Sequence, residues 1–253
     1  MHRKIFSENF DLSSYTTIKV GGVAEYFAEP KNLDEFSYLV KWANLNKQRC
    51  QIIGAGSNLL INNIFIKGLV VCTKKMKSLN IEPYSGIVEA EAGVMLPTLS
   101  NSLAKNGLQG GEWAIGIPGT LGGAIYMNAG TGNLSLAKNL ISVKVINNKT
   151  HEKLEIEKKD INFEYRFSSF QKNDLTIISA RLYFEPNGNL EKLIQTTKNN
   201  LKLKTETQPY HQPSFGSVFK NPKNNYAAKL IDDIGLKGFK IGGAEVSLSL
   251  IHI

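Results

Sequence analysis

Cysteine, histidine and long apolar runs are scarce in this 253-residue chain, and each scarcity excludes a class of protein. The two cysteines, Cys50 and Cys72, provide neither a disulfide framework nor the spacing of a zinc site. The four histidines are far apart and in polar contexts, which argues against any metal site. No run approaches membrane-spanning length, and the N-terminus lacks the apolar stretch of a signal peptide. We therefore expect a soluble cytoplasmic protein that holds no metal.

Arginine is also scarce, with four residues beside 26 lysines, although the formal net charge is +8. Such an excess of positive charge is often found in proteins that bind nucleic acid or another polyanion. Here the lysines are scattered, whereas a surface that follows phosphates needs clustered charge. We therefore favour a solvated lysine surface. A nucleic-acid binder remains the alternative, and a steep salt dependence of oligonucleotide binding is its test.

The apolar pattern predicts a chain that is rich in strands up to about residue 187 and helical after it. Asn32 is the expected N-cap of a first helix, and Gly107 is the expected stop of a second. A third helix is expected from Asn189 to about Thr207. The order of the elements favours an α+β fold over a repeated βαβ unit. The expected strands are 17–22, 24–30, 50–53, 69–72, 87–93, 143–146, 154–156 and 175–184, and the second helix is 97–106.

A first glycine loop follows the expected strand at 50–53 and reads Gly54-Ala-Gly-Ser-Asn-Leu59. Glycines there allow a ligand to approach the backbone closely, and successive N–H groups with two polar side chains form a cradle for phosphate oxygens. The loop lacks the third glycine of a dinucleotide-binding fingerprint and the Gly-Lys-Ser/Thr of a P-loop. The alternative for this segment alone is an ordinary tight turn.

A second glycine-rich segment runs from residue 107 to residue 132 and contains nine glycines among large apolar residues. Such a composition suits neither a polar linker nor a regular helix, so it predicts tightly folded backbone. Within it, Pro118-Gly119 marks a turn, and Thr120 with the pair Gly122-Gly123 leaves donors and bare backbone facing a neighbour. Two such cradles indicate a ligand with several phosphates or a long cofactor. The alternative is a strand crossing packed through glycine.

Two further segments carry candidate chemistry. Arg166 lies between aromatic residues, where an unpaired guanidinium is costly, so we expect it to meet a carboxylate or a phosphate. The alternative is a structural ion pair. Ser217 follows a glycine in a loop, and Lys220 and Asn221 come soon after it. Because no Gly-x-Ser-x-Gly elbow is present, we interpret Ser217 as a proton donor or ligand contact and not as a hydrolase nucleophile.

Taken in order, these segments resemble the UDP-N-acetylenolpyruvoylglucosamine reductase family, in its shorter subtype. The resemblance extends across nearly the whole chain. It implies a vanillyl-alcohol-oxidase type of FAD-binding domain with two lobes, at residues 1–187 and split near residue 72, and a C-terminal α+β substrate-binding lobe at 188–247. The matching motifs are Asn9 with Thr17-Ile-Lys-Val-Gly-Gly, Gly54-Ala-Gly-Ser-Asn-Leu-Leu, Gly116-Ile-Pro-Gly-Thr-Leu-Gly-Gly-Ala, Tyr165-Arg-Phe-Ser, Gly216-Ser-Val-Phe-Lys-Asn-Pro, Ala227-Ala-Lys-Leu-Ile-Asp-Asp-Ile-Gly-Leu-Lys-Gly and Gly242-Gly-Ala.

The resemblance also implies an activity. NADPH would reduce a non-covalently bound FAD, which would then reduce the enolpyruvyl group of UDP-N-acetylglucosamine enolpyruvate to give UDP-N-acetylmuramate for peptidoglycan. Arg166 matches the residue that stabilises negative charge on the substrate, and Ser217 matches the proton donor. Tyr165, Lys220 and Asn221 match substrate-binding positions. The residues that match the FAD site are Gly54, Ala55, Gly56, Ser57, Asn58, Leu59, Gly119, Thr120 and Gly123. We expect binding of this small-molecule substrate and no binding of nucleic acid or membrane, and we infer no obligate protein partner.

The end of the chain departs from the pattern of this family, in which a Ser-x-x-His-x-x-Phe segment and a final helix lead to a catalytic glutamate. Here Ser247 is followed only by Leu248-Ser-Leu-Ile-His-Ile253. These six residues match the translation of a transposon mosaic end used in sequencing libraries, so we expect 248–253 to be adapter read-through. Glu245 is not expected to replace the glutamate, because it falls in the preceding strand. We therefore expect weak activity and an exposed apolar surface on the substrate lobe.

Two other functions fit parts of the sequence. A flavin oxidase of the same fold would share the glycine loops but would not need the Tyr165-Arg166 pair or the 216–222 segment. A nucleotide-binding module without activity would tolerate the missing glutamate, but it would bind no flavin. Visible absorbance of a bound flavin distinguishes the reductase from the nucleotide-binding module. Reaction with NADPH and the enolpyruvyl substrate distinguishes the reductase from the flavin oxidase.

Overall fold

Strands and helices alternate irregularly in the computed structural model, which describes residues 5–62, 64–210 and 212–249. The strands are β1 (Ser7–Asp11), β2 (Val23–Ala28), β3 (Cys50–Ile53), β4 (Phe65–Cys72), β5 (Leu79–Glu82), β6 (Ile87–Glu91), β7 (Gly130–Thr131), β8 (Leu134–Ser135), β9 (Leu140–Asn147), β10 (Lys153–Glu157), β11 (Phe163–Glu164), β12 (Phe167–Ser168), β13 (Leu175–Tyr183), β14 (Lys240–Ile241) and β15 (Ala244–Glu245). The helices are α1 (Leu33–Leu45), α2 (Leu96–Lys105), α3 (Leu121–Tyr126), α4 (Leu136–Asn139), α5 (Leu190–Thr207) and α6 (Ala227–Asp233).

The first sheet contains four strands in the order β1-β2-β4-β3. Strand β1 is antiparallel to β2, whereas β4 is parallel to both β2 and β3. The predicted strand at 17–22 is wrong. That segment is a loop, and the partner of β2 is instead β1, which the sequence analysis missed. The residues of β1 are mostly exposed, so this edge strand has no alternation of apolar and polar residues to detect.

Helix α1 begins where the sequence predicts. The side chain of Asn32 accepts a hydrogen bond from the backbone N–H of Glu35 at 2.9 Å, which caps the first turn. The buried face of α1 carries Phe36 and Leu39, and it packs in a cluster that includes Ile178 of the second sheet. This helix therefore lies between the two sheets and helps to fix their relative position.

The second sheet contains five antiparallel strands in the order β10-β9-β13-β6-β5. Helix α2 buries Leu99 and Leu103 against it, as predicted, and the chain leaves the helix through Gly107 at φ +69°. The expectation that residues 107–132 form no regular helix is wrong at α3, which contains Gly122 and Gly123. A Cβ on Gly122 would lie 2.9 Å from the Cβ of Ala92, so a close approach to the sheet explains this helical glycine.

Helix α5 also matches its prediction, with the side chain of Asn189 accepting a hydrogen bond from the N–H of Lys192 at 2.9 Å. It packs against α2 and the 112–116 turn and buries Leu193 and Thr197. The C-terminal part, with α6, β14 and β15, has no buried residue in these elements. None of the helices in the described ranges combines the length and apolar character that a membrane span requires. Within the same ranges, no group of three or more potential metal ligands occurs.

Candidate cofactor and substrate site

The first glycine loop leaves the end of β3 and packs against the chain that precedes β2. Gly56 has φ +66°, and a Cβ at this position would lie 2.0 Å from the carbonyl oxygen of Tyr15. The carbonyl oxygen of Gly56 in turn accepts a hydrogen bond from the N–H of Thr17 at 3.3 Å. Only glycine fits a left-handed residue in such close contact with backbone, so the loop is fixed by its sequence.

The second glycine loop, at 116–123, is held at the start of α2. The N–H of Leu96 donates to the carbonyl oxygen of Gly119 at 3.0 Å, and the N–H of Leu121 donates to that of Val94 at 2.8 Å. Gly119 has φ +131°, a conformation that favours glycine. Thr120 is buried, with 1% of its surface exposed. These bonds fix the backbone immediately before α3.

The two glycine loops lie directly against each other. The hydroxyl of Ser57 donates to the carbonyl oxygen of Pro118 at 3.0 Å. A Cβ on Gly54 would lie 2.3 Å from Oγ1 of Thr120, and one on Gly119 would lie 3.0 Å from Oγ of Ser57. The loop that follows the first sheet and the loop that packs on the second sheet therefore form one composite site. An isolated tight turn does not describe this arrangement.

The chemistry of this composite site fits the diphosphate of FAD. Residues 54–59 and 119–123 offer backbone N–H groups, hydroxyls and an amide, and none of them carries a carboxylate. The hydroxyl of Thr120 is buried without a hydrogen-bond partner among the described residues. Buried hydroxyls are normally paired, so this donor calls for an acceptor that a bound ligand supplies. A phosphate oxygen is such an acceptor.

Arg166 lies at the tip of a short hairpin, because Tyr165 and Arg166 are the two residues that connect β11 to β12. Arg166 has φ +57°, and its Nη1 donates to the carbonyl oxygen of Gly130 at 3.4 Å. Its guanidinium carbon lies 5.3 Å from the ring centroid of Tyr165. The alternative of a structural ion pair is not observed, since none of the described carboxylates lies within 4.0 Å of this side chain.

The segment that carries Ser217 is anchored at both ends. The N–H of Ser214 donates to the carbonyl oxygen of Thr17 at 3.1 Å, and the N–H of Asn221 donates to the hydroxyl of Tyr165 at 3.4 Å. The first anchor lies beside the first glycine loop, and the second lies at the Arg166 hairpin. The structure therefore brings this segment to both parts of the candidate site.

Individual side chains of this segment differ in what they contact. The side chains of Ser217 and Lys220 are exposed, and neither takes part in a side-chain hydrogen bond or ion pair with another described residue. The side-chain oxygen of Asn221 accepts a hydrogen bond from the N–H of Ala227 at 3.1 Å, at the start of α6. Asn221 thus has a structural contact in addition to its predicted contact with substrate.

Sequence reasoning missed two residues that support the site. The hydroxyl of Tyr210 donates to the carbonyl oxygen of Gly116 at 2.6 Å, and partial burial raises the pKa of this phenol. The methylene groups of Lys204 cover Gly116, where a Cβ would lie 2.5 Å from its Cγ, and burial lowers the pKa of this lysine. Both residues hold the second glycine loop from α5 and the chain after it. Neither carries a local sequence signal of this role.

Glu245 lies in β15, as expected, and its carboxylate is 3.2 Å from the ammonium of Lys240. It is therefore engaged in a surface ion pair of the β14–β15 hairpin. Residues 250–253, which make up most of the predicted read-through, lie outside the described residues.

Family models match two parts of the chain. The model described as FAD binding domain matches residues 24–152, which include both glycine loops. The model described as UDP-N-acetylenolpyruvoylglucosamine reductase, C-terminal domain, matches residues 208–249, which include Ser217 and α6. The predicted α+β fold with an FAD-binding domain and a C-terminal domain is thereby confirmed.

Whole-chain similarity leads to the same family. The UDP-N-acetylenolpyruvoylglucosamine reductase of Prochlorococcus marinus subsp. pastoris is 71% identical over 242 residues, which cover 96% of this chain and 82% of the relative. The enzyme of the same name from Prochlorococcus marinus strain NATL2A is 47% identical over 240 residues, covering 95% and 82%. A crystal structure of UDP-N-acetylenolpyruvylglucosamine reductase from Thermus caldophilus superimposes with a TM-score of 0.82 at 28% identity, covering 96% of this chain and 86% of the other. The chain belongs to the UDP-N-acetylenolpyruvoylglucosamine reductase family.

Proposed function

We propose that this chain is a flavoenzyme that uses NADPH to reduce the enolpyruvyl group of UDP-N-acetylglucosamine enolpyruvate. The product, UDP-N-acetylmuramate, is used in peptidoglycan synthesis. The observation that carries the proposal is the direct contact between the two glycine loops, with Ser57 bonded to Pro118 at 3.0 Å. FAD, when bound there, supplies hydride transfer between NADPH and the enolpyruvyl carbon. We also propose a cytoplasmic location, because both proposed substrates are nucleotides.

The glycine loops would hold the FAD without a covalent bond. Their backbone N–H groups and hydroxyls would bind the diphosphate, from residues Gly54, Ala55, Gly56, Ser57, Asn58, Leu59, Gly119, Thr120 and Gly123. A covalent link through cysteine is disfavoured by burial, which raises the pKa of Cys50 to about 12 and that of Cys72 to about 11. A thiol in that state provides almost no thiolate, the nucleophilic form, near neutral pH.

Arg166 would bind and stabilise the substrate carboxylate. Hydride addition to the enolpyruvyl group places negative charge towards that carboxylate, and a positioned cation stabilises it. The guanidinium is half-buried, is held by the carbonyl oxygen of Gly130, and has no carboxylate partner among the described residues. Its charge is therefore free to pair with an anionic ligand. The left-handed backbone of Arg166 is energetically unfavourable, and such strained conformations are commonly found at functional sites.

The 214–221 segment would supply the proton and part of the substrate contacts. Ser217 would donate a proton to the carbon next to the site of hydride addition. Lys220 and Asn221 would contact the UDP part, where a charged donor suits a diphosphate. Tyr165 would support this segment, since its hydroxyl accepts the hydrogen bond from the N–H of Asn221.

We also propose a division of the chain into three parts. Residues 1–187 would form the FAD-binding domain, with its two lobes divided near residue 72, where the last strand of the first sheet ends. Residues 188–247 would form the substrate-binding domain. Residues 248–253 would lie outside both. Re-sequencing of the locus with flanking primers tests this last boundary.

A flavin oxidase of the same fold is the second candidate, because it would share the two glycine loops. The contact between Asn221 and Tyr165 favours the reductase, since it joins the 214–221 segment to the Arg166 hairpin. A flavin oxidase would not need a contact between these two segments. The two candidates differ in the group that reoxidises the flavin, which is the enolpyruvyl substrate for the reductase and oxygen for the oxidase.

Visible absorbance under anaerobic conditions separates these functions. We expect the purified chain to show flavin absorbance that NADPH bleaches, and we expect the enolpyruvyl substrate to restore it. UDP-N-acetylglucosamine, which lacks the enolpyruvyl group, is the matched control and should restore nothing. Reoxidation by oxygen alone, with no response to the enolpyruvyl substrate, would favour the oxidase. A protein that binds no flavin would contradict both.

A further inference from the structure

Two neighbouring threonines in the loop before β2, Thr16 and Thr17, differ in the hydrogen bonding of their hydroxyls. The hydroxyl of Thr16 donates to the carbonyl oxygen of Val20 at 2.7 Å, with that of Ser13 nearby at 3.3 Å. The hydroxyl of Thr17 is buried, and it has no hydrogen-bond partner in the described part of the chain. Thr16 therefore has a complete structural role, whereas the role of the Thr17 hydroxyl is unexplained by the protein itself.

An unpaired buried hydroxyl is unfavourable, because it gives up hydrogen bonds to water without replacement. The hydroxyls of Thr17 and Thr120 share this state, and both residues adjoin the first glycine loop. The backbone of Thr17 contacts Gly56, and Oγ1 of Thr120 lies 2.3 Å from where a Cβ on Gly54 would be. Two unpaired donors around one glycine loop indicate a shared ligand that is rich in acceptors.

The backbone of Thr17 also joins two parts of the candidate site. Its N–H donates to the carbonyl oxygen of Gly56 at 3.3 Å, and its own carbonyl oxygen accepts from the N–H of Ser214 at 3.1 Å. The first bond reaches the loop proposed to hold FAD, and the second reaches the segment that carries Ser217. No other residue in the described ranges has backbone hydrogen bonds to both of these segments.

We propose that Thr17 is a further residue of the cofactor site, whose hydroxyl donates to a polar acceptor of FAD while its carbonyl oxygen holds the Ser214 segment beside the bound flavin. This inference rests on the proposed function and deepens it. Thr17 then contacts the cofactor directly and positions the proton-donor segment through its backbone. Occupancy of the site by FAD stabilises residues 212–221 as a consequence.

The test compares three variants of the full chain, prepared free of FAD and titrated with FAD by fluorescence quenching. Thr17→Val keeps the shape of the side chain and removes no protein hydrogen bond, so we expect unchanged melting of the FAD-free protein and about tenfold weaker FAD binding. Thr17→Ser restores the hydroxyl and should bind FAD within about threefold of wild type. Thr16→Val is the matched control, and it should lower the melting temperature while the folded protein keeps its affinity for FAD.

Hydrogen exchange of the 212–221 segment provides a second readout. FAD should slow exchange there in wild type, and the Thr17→Val variant should show less protection at equal FAD saturation. Unchanged FAD affinity in Thr17→Val would overturn the inference, as would a raised KM for the enolpyruvyl substrate with FAD affinity intact. If FAD-free Thr17→Val melts lower than Thr16→Val, the hydroxyl is structural and the inference also fails.

Failure of this inference is distinguishable from failure of the proposed function. Wild-type protein that binds no FAD contradicts the function itself, whatever the variants do. Wild-type protein that binds FAD with the same affinity as Thr17→Val contradicts only the role of Thr17.

Discussion

At the scale of single residues, Arg166 combines a rare residue type with an unusual backbone and an unpaired charge. It is one of only four arginines, its φ is +57°, and it meets a carbonyl oxygen instead of a carboxylate. Arginine is costly to leave half-buried without an anionic partner. These features together favour binding of an anionic group that the protein itself does not provide.

The substitution Arg166→Met should therefore reduce kcat much more than it weakens FAD binding. Removal of a group that stabilises transition-state charge commonly costs about 100-fold to 1000-fold in kcat. Arg181→Met is the matched control, since Arg181 lies on the sheet surface 3.9 Å from Glu89. Stopped-flow absorbance should show normal reduction of the flavin by NADPH in Arg166→Met and slow reoxidation by substrate. Equal effects of the two substitutions would contradict this role.

The buried thiol of Cys72 should make the free energy of unfolding fall as the pH rises into the alkaline range. Burial raises the pKa of its thiol from 9.0 to about 11, so the folded protein keeps the proton at pH values where the unfolded chain loses it. The stabilising effect is complete below about pH 9 and is lost as the pH rises towards 11, by about 1.4 kcal/mol per pH unit. Urea unfolding of wild type and Cys72→Ala at pH 8 and pH 10 should show a smaller decline for the variant. Parallel declines would contradict this effect.

The sequence identifies a site residue when its immediate neighbours in the chain are unusual. It does not identify a residue whose role depends on contacts with backbone far away along the chain. Arg166 was found because an arginine among aromatic residues is unusual. Thr17 and Tyr210 were not, because their contacts lie at Gly56, Ser214 and Gly116, far away along the chain. No periodicity or motif encodes such contacts.

At the scale of elements, α3 depends on two adjacent glycines that have different reasons to be glycine. A Cβ on Gly122 would lie 2.9 Å from the Cβ of Ala92, whereas one on Gly123 would lie 3.6 Å from Oγ1 of Thr120. The first contact is too short, and the second is an ordinary van der Waals contact that faces the candidate cofactor site. The same substitution should therefore have opposite effects on stability at these neighbouring positions.

Gly122→Ala should destabilise the protein despite the higher helix propensity of alanine. Gly123→Ala should raise the free energy of unfolding of the FAD-free protein by up to about 1 kcal/mol, because alanine is the better helix former. It should also weaken FAD binding, since a methyl group narrows the space at the loop. Urea unfolding and FAD titration of both variants measure these effects. Destabilisation by Gly123→Ala with unchanged FAD affinity would be the contrary result.

The elements with strong local signals were predicted correctly. Helices α1 and α5 begin at their predicted caps, Asn32 and Asn189, because a side-chain acceptor before an apolar face is a local signal. Strand β1 was missed because it is an exposed edge strand. Helix α3 was missed because glycine argues against a helix, and the packing that requires Gly122 comes from Ala92, which follows β6 and is distant along the chain.

At the scale of the whole molecule, the proposed FAD site joins the two sheets. The loop at 54–59 directly follows β3 of the first sheet, whereas the loop at 119–123 is held at α2, which packs on the second sheet. A ligand that contacts both loops stabilises the folded arrangement of both sheets. Its binding energy therefore adds to the stability of the whole FAD-binding domain.

Calorimetry should show this coupling as one shifted unfolding transition. At an FAD concentration of about 100 times Kd, the folded state gains about 2.7 kcal/mol. Riboflavin, which lacks the diphosphate, is the control ligand and should produce a much smaller shift. If FAD moves only one of two separate transitions, the loops do not share the ligand.

The overall arrangement was accessible from sequence only through the family resemblance. Composition and apolar pattern favoured an α+β fold, but they gave neither the strand order nor the contact between the loops. Both depend on pairings between distant segments. The C-terminal part exposes large apolar side chains. These side chains are Val218, Phe219, Leu230, Ile234, Phe239, Ile241 and Leu248.

A crystal structure of this chain with FAD tests most directly whether the two glycine loops hold one cofactor. We predict that N–H groups from both 54–59 and 119–123 lie about 3 Å from the diphosphate oxygens. Arg166 and Ser217 should then face the same side of the flavin ring. A diphosphate bound by one loop alone, or a flavin ring that neither side chain approaches, would contradict the proposed site.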